Sequence, residues 1–197
     1  MKMSSAAKER TLVDRDFREL YHLERYLFEN VTPRFQQFGV LSTFDFFCVV
    51  VWKANRSKSK VAARLLSQGH NDLESAVAKL ITSIFEAPNE KMRLKVLIDG
   101  WKFRLPMASA ILSVLYPDAF TVYDTRVCDA LGAFHSAQDK TNFDLLWEDY
   151  QSFILAVEQK SPDEYTLRDK DRWLWGKSFC HQLENDIKAK FVKTKTR

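Results

Sequence analysis

Glycine and proline are scarce, five of each in 197 residues, which excludes collagen-like repeats and argues against disorder and loop-rich all-β architectures. Cysteine is scarcer. Cys48, Cys128 and Cys180 lie far apart with no C-x-x-C spacing, so a disulfide framework, a zinc site and an iron–sulfur cluster have no basis in the sequence, and no cofactor is expected. No stretch approaches the ~20 apolar residues of a membrane span, and the opening MKMSSAAKERTLVDRDF lacks the apolar run of a secretory signal. A soluble chain in a reducing compartment is expected, with no membrane partner. A large excess of one charge is missing too. Thirty Lys+Arg face 26 Asp+Glu, and the five bases and one acid of residues 186–197 account for the whole formal net charge of +4. Net charge therefore does not by itself identify a nucleic-acid binder.

What the chain does have is apolar content, 46% hydrophobic and 13% aromatic residues, enough for a sizeable core in one domain or two lobes sharing a chain. The periodicity is helical. Phe17, Leu20, Tyr21 and Leu27 predict a surface helix over 14–30, ended before Pro33. Ser42 or Thr43 caps the next. There Phe44, Phe47, Cys48 and Val51 follow i, i+3, i+4, i+7, while Phe46, Val49 and Val50 make the other face apolar as well, so this helix is expected to be central. After Trp52 comes KANRSKSKVAAR, with five bases and no acid, leading into a helix to about Ser67 that Gly69 stops. Helices follow over 72–86 and about 89–98, then an Asp99-Gly100 turn, then a helix opened by Leu105-Pro106 and ended near Tyr116-Pro117-Asp118. Beyond the loop AFTVYD a short helix runs from about Thr125 to Leu131. Two long helices close the chain: one with Phe143, Leu146, Trp147, Tyr150, Phe153, Ile154 and Val157 at core spacing, and one from about Asp163 into the basic tail. The expected fold is all-α.

The segment LIDGWKFRLPMASAILSVLYPDAFTVYDTRVCDAL, residues 97–131, joins a helix, a turn with Asp-Gly, a helix opening with Ala108, Ser109 and Ala110, a loop, and an Asp before the next helix. This order resembles the helix-hairpin-helix DNA glycosylase superfamily, and the likeness covers about residues 40–135. It implies a two-lobed helical bundle in a single domain. Residues 40–135 form the lobe with the hairpin near 97–109, residues 1–39 and 136–185 the second lobe, and residues 186–197 a basic tail.

The resemblance maps Asp124 onto the catalytic carboxylate. Breaking an N-glycosidic bond develops positive charge on the sugar, which a carboxylate beside C1′ stabilises. An Asp before a helix is also an ordinary cap. The turn after the buried helix faces DNA in the family, which makes Lys53, Asn55 and Arg56 DNA-binding candidates and Trp52 a candidate for holding the extruded base. Tyr123 could stack on that base, and Gly100, Trp101, Lys102 and Arg104 of the hairpin could meet the backbone. Trp52, Tyr123 and Trp101 each have an equally simple reading as core. Two departures stand out: the hairpin has Gly100 alone followed by bulky residues, and the position eighteen before Asp124, where lyases of the family place an amine, is Pro106. The implied activity is therefore that of a monofunctional glycosylase on double-stranded DNA that uses water and leaves an abasic site. It would serve in repair or against phages with modified cytosines, in the bacterial cytoplasm or nucleoid. Competing readings are a non-catalytic DNA-binding module and a helical protein-interaction domain. The motif LRDKDRWLW, residues 167–175, has no role legible in the sequence.

Overall fold

A computed structural model of the protein describes residues 17–191, so the start of the expected second lobe, residues 1–16, and the end of the basic tail, residues 192–197, lie outside it. Among the described residues the regular structure is helical throughout. No helix there is long and apolar enough to cross a membrane.

Helix α1 (Leu23–Tyr26) passes through a π turn (Leu27–Val31) directly into α2 (Thr32–Phe38). The helix expected to end before Pro33 therefore continues through it. Proline is tolerated where its missing N–H falls in a first turn, and the wider π turn before it shifts the ladder so that the Thr32 N–H bonds to the Leu27 carbonyl. The Thr32 hydroxyl also donates to the Val114 carbonyl at 2.6 Å. Gly39 ends α2 at φ +67°, where a Cβ would lie 2.9 Å from the Phe85 ring. Only glycine fits this position without displacing that ring.

Helix α3 (Thr43–Ala54) starts where the Ser42 side chain accepts the Asp45 N–H at 3.1 Å. Phe46, Val49 and Val50 are fully buried while Phe44 is exposed, so the inward face is the second of the two apolar faces. A tight turn (Asn55–Ser57) leads to α4 (Lys58–Leu66). Helix α5 (Leu73–Phe85) is capped by Asp72 and α6 (Glu90–Lys95) by Asn89. A π turn (Val96–Gly100) then feeds the hairpin into α7 (Leu105–Leu115), which is buried on nearly every side. Helix α8 (Thr125–Leu131), α9 (Phe143–Lys160) and α10 (Leu167–Lys188) complete the bundle. Elements of both expected lobes contribute to one continuous core from Tyr26 to Leu174.

The hairpin between α6 and α7 closes with Gly100 as its one glycine. The Trp101 N–H bonds to the Val96 carbonyl at 2.9 Å and the Phe103 N–H to the Leu97 carbonyl at 2.8 Å, with Lys102 between them at φ +58°. A side chain in that left-handed region costs ~1–2 kcal/mol. Lys102→Gly is therefore expected to raise stability by up to about 1 kcal/mol, the gain being partly offset by the greater freedom of glycine in the unfolded chain. A fall in the thermal midpoint would show that the lysine side chain makes a compensating contribution.

Candidate functional site

The loop between α7 and α8 has no regular structure, yet side chains from three helices hold it. Tyr150 of α9 donates its hydroxyl proton to the Thr121 carbonyl at 2.6 Å. Asp171 of α10 accepts the Val122 N–H at 3.3 Å, and Ser109 of α7 accepts the Tyr123 N–H at 2.9 Å. The Tyr123 hydroxyl donates to the Phe134 carbonyl at 2.6 Å. Buried backbone groups must find partners, and here they find them in a way that fixes the next residue.

That residue is Asp124. One carboxylate oxygen, Oδ1, accepts the Arg126 N–H at 3.0 Å and caps α8. The other, Oδ2, accepts from Nζ of Lys53 at 2.6 Å. The capping and functional readings are thus compatible, because they use different oxygens. The Lys53 side chain is 12% exposed and that of Asp124 28%. Burial pushes the Asp124 carboxyl upward, but the Lys53 ammonium, its hydrogen bond and the Arg126 N–H outweigh it, and the net position is below the usual carboxylate value. The group is held ionised.

Beside this pair lies a cavity of about 510 Å³, walled by Trp52, Lys53, Asp124, Arg126 and, from α10, Arg168, Asp171, Arg172 and Trp175, with Val122 and Glu24 completing it. Four cations face three carboxylates there. Arg168 bridges Glu24 and the buried Asp171, and its guanidinium lies 5.0 Å from the Trp52 ring centroid. Arg172 donates to Glu24 at 2.9 Å. Burial raises the Asp171 carboxyl above its ordinary value despite Arg168, the Val122 N–H and Lys53, all of which favour the charged form.

The structure divides the residues singled out in the sequence. Trp52 and Lys53 reach the cavity with Asp124. Lys53 does so by turning inward: its ammonium sits on Asp124 and, at 3.3 Å, on the Tyr123 carbonyl, rather than on a solvent-facing turn open to phosphate. Asn55 and Arg56 are exposed on that turn, and Gly100, Lys102 and Arg104 on the hairpin, with Arg104 paired to Asp139 at 3.1 Å. Two candidates are corrected. Tyr123 is 2% exposed and packs on Phe153 with ring centroids 5.2 Å apart, so it braces the loop and offers no face to a base. Trp101 is buried and stacked on His70 at 5.5 Å, so it anchors the hairpin from inside.

LRDKDRWLW now has a place. Arg168, Asp171, Arg172 and Trp175 follow i, i+3, i+4, i+7 and form one face of α10, the face that walls the cavity. The signal was present as helical spacing of charged residues, though what they face is set by chain far away. Among the described residues no group of three or more side chains gathers that could hold a metal ion. No family model, curated protein or solved structure matches the chain.

Proposed function

We propose that the chain is a DNA glycosylase that takes a modified base out of double-stranded DNA and hydrolyses its N-glycosidic bond, leaving an abasic site. The observation that carries this is an ionised carboxylate, Asp124, fixed by its cap and by Lys53 at the wall of a cavity roomy enough for an extruded base. A pre-placed negative charge stabilises the sugar cation that develops as the base departs, and it can orient the attacking water. Trp52 supplies an aromatic surface beside it for the unstacked base. The charged wall of α10 suits polar substituents better than an apolar ring.

Removal of damaged bases and attack on the modified cytosines of phage DNA both use this chemistry. Incubating the protein with genomic DNAs of different modification states, then assaying abasic sites, tests the reading and separates the two uses. Tight binding with no abasic sites on any of them would instead support a non-catalytic DNA-binding module, a reading favoured by the crowded hairpin.

Exposed Arg56 on the turn after α3, Lys58 and Lys60 at the start of α4, and Lys102 and Arg104 on the hairpin are the basic groups placed to meet phosphates. Affinity for duplex DNA is expected to fall steeply with salt, with a slope of log K against log salt of about −0.9 per phosphate contact. Arg56→Ala should make that slope shallower by roughly one contact. An unchanged slope in Arg56→Ala and in Lys102→Ala would place the DNA on another face.

A further inference from the structure

Helix α10 outlasts the bundle that holds its first half. Asp171 and Leu174 are its buried residues, and Ser178 is half-buried in line with them. From Phe179 to Lys188 every residue is exposed except Asp186, which is half-buried. Packing is what normally stabilises a helix within a protein, and these last turns have little of it. Their outer side is nonetheless apolar. Trp173, Leu183 and Ile187 are exposed there, and with Gly176 and the exposed Cys180 they recur at alternating spacings of three and four residues. At about 100° per residue this seam lies about half a turn from Asp171, Leu174 and Ser178, so it points away from the bundle. A strict alternation of three and four is the pattern of a helix paired with another helix.

Gly176 adds a second sign. A glycine inside a helix is costly, and nothing in the chain lies within 4 Å of where its Cβ would be, so no contact within one copy requires it. Beside the seam stand two charges without a mate. Lys177 rests over the Trp173 ring at 5.1 Å, and Glu184 accepts from the Cys180 thiol at 3.5 Å. Neither has an ion-pair partner among the described residues.

We propose that this face of α10 binds a second copy of the chain, the two helices running antiparallel. One register satisfies every feature of the seam. It sets Cys180 of each copy against Leu183 of the other, and it sets Ile187 against Gly176, whose missing side chain leaves the room an isoleucine needs. Lys177 of each copy then lies beside Glu184 of the other, twice over by the two-fold symmetry of such a pair. A parallel pair would instead bring Arg172 beside Lys177 of the second copy, and like charges there disfavour it. Arg168, Asp171 and Trp175, which wall the cavity, lie about a quarter turn or more from the seam, so the contact does not use them. The pairing is independent of what the cavity does.

The test uses the full chain, followed by sedimentation from about 1 μM to about 1 mM, the span in which small interfaces associate. The mass should rise from that of one chain, 23.0 kDa, to twice that. Leu183→Asp should weaken association by ~10² or more, because each substitution acts twice in a symmetric pair, while the thermal midpoint of the dilute monomer stays unchanged. Charge exchange reads the register. Lys177→Glu and Glu184→Lys should each reduce self-association, and an equimolar mixture of the two variants should recover it as a heterodimer. A short bismaleimide should also link two copies through Cys180, since Cys48 and Cys128 are buried, and Cys180→Ser should abolish the link. A chain that stays monomeric throughout the range overturns the proposal and leaves the seam to a different protein. So does a dimer that Leu183→Asp does not weaken, which would use another face. Failure of the mixed variants to pair overturns the antiparallel register, and that readout stands even if Leu183→Asp folds poorly.

Discussion

Asp124→Asn is expected to lower base release by ~10²–10³ while the protein still folds and binds DNA. The amide keeps an oxygen for the Arg126 N–H, and Asn and Asp rank alike as helix caps. What it loses is the charge. Lys53 keeps the Tyr123 carbonyl but loses its acceptor on residue 124, because the single amide oxygen is taken by the Arg126 N–H and an NH2 stands where Oδ2 was, so the stability loss should be about 1.5–3 kcal/mol, the value of a hydrogen bond to a charged group. The pH dependence has a definite sign. Because the folded-state value of Asp124 is below its ordinary 3.8, the stability from this group is fully present above 3.8 and is lost as pH falls through the lower folded value. Base release that needs the ionised carboxylate should persist in the same way into mild acid. Single-turnover excision on a cleavable substrate, with unfolding and binding of the same variant alongside, measures all of this. Full activity in a well-folded Asp124→Asn protein would take the carboxylate out of the mechanism.

Arg168→Ala is expected to be the most destabilising change near the site. The Arg168 side chain is 14% exposed and pairs with Asp171, which is 3% exposed, and with Glu24. It also covers the rings of Phe28 and Trp52 at 5.1 and 5.0 Å. Without it Asp171 keeps the Val122 N–H and the more distant charge of Lys53, and a buried charge stripped of its direct counter-ion costs about 3–5 kcal/mol. For a chain of this size that is roughly 6–20 °C in thermal midpoint. Asp171 has a folded value raised above 3.8, so the stability from it is fully present below 3.8 and is lost as pH rises through the folded value. Removing Arg168 raises that value further. The gap between variant and wild type should therefore be widest at neutral pH and shrink on acidification, and adding Asp171→Asn should recover part of it. A gap independent of pH would mean that the guanidinium acts through packing alone.

Local chemistry was legible in the sequence wherever it decides the structure by itself. The cap at Ser42, the helix starts near residues 72 and 89, the stop at Gly69 and the proline opening of α7 depend on neighbours within a few residues, and they lie close to where the spacing puts them. Pro33 misled because the π turn before it absorbs the missing donor, and the Thr32 hydroxyl that follows this turn bonds to Val114 far along the chain. Lys53 reads as one more base in a basic run, and nothing nearby announces a carboxylate seventy-one residues later. Tyr123 and Trp101 were ambiguous for the reason that aromatics generally are: the same side chain serves a core or a ligand, and burial alone separates the two. Arg168 and Glu24 stand 144 residues apart, so their pairing, and with it the cavity wall, belongs to the tertiary fold.

The dependence of the Asp124 loop on α10 also gives the site an order of assembly. As the chain leaves the ribosome, Asp124, Lys53 and Trp52 are made long before residues 168–175. Until α10 docks, the Val122 N–H lacks its acceptor, Glu24 lacks both arginines, and one wall of the cavity does not exist. The surroundings of the Asp124 carboxylate are thus completed only when the last long helix has folded onto the rest. In the mature protein any local opening that lifts α10 undoes these contacts together, so loss of folding in that helix and loss of the cavity beside Asp124 should be one event.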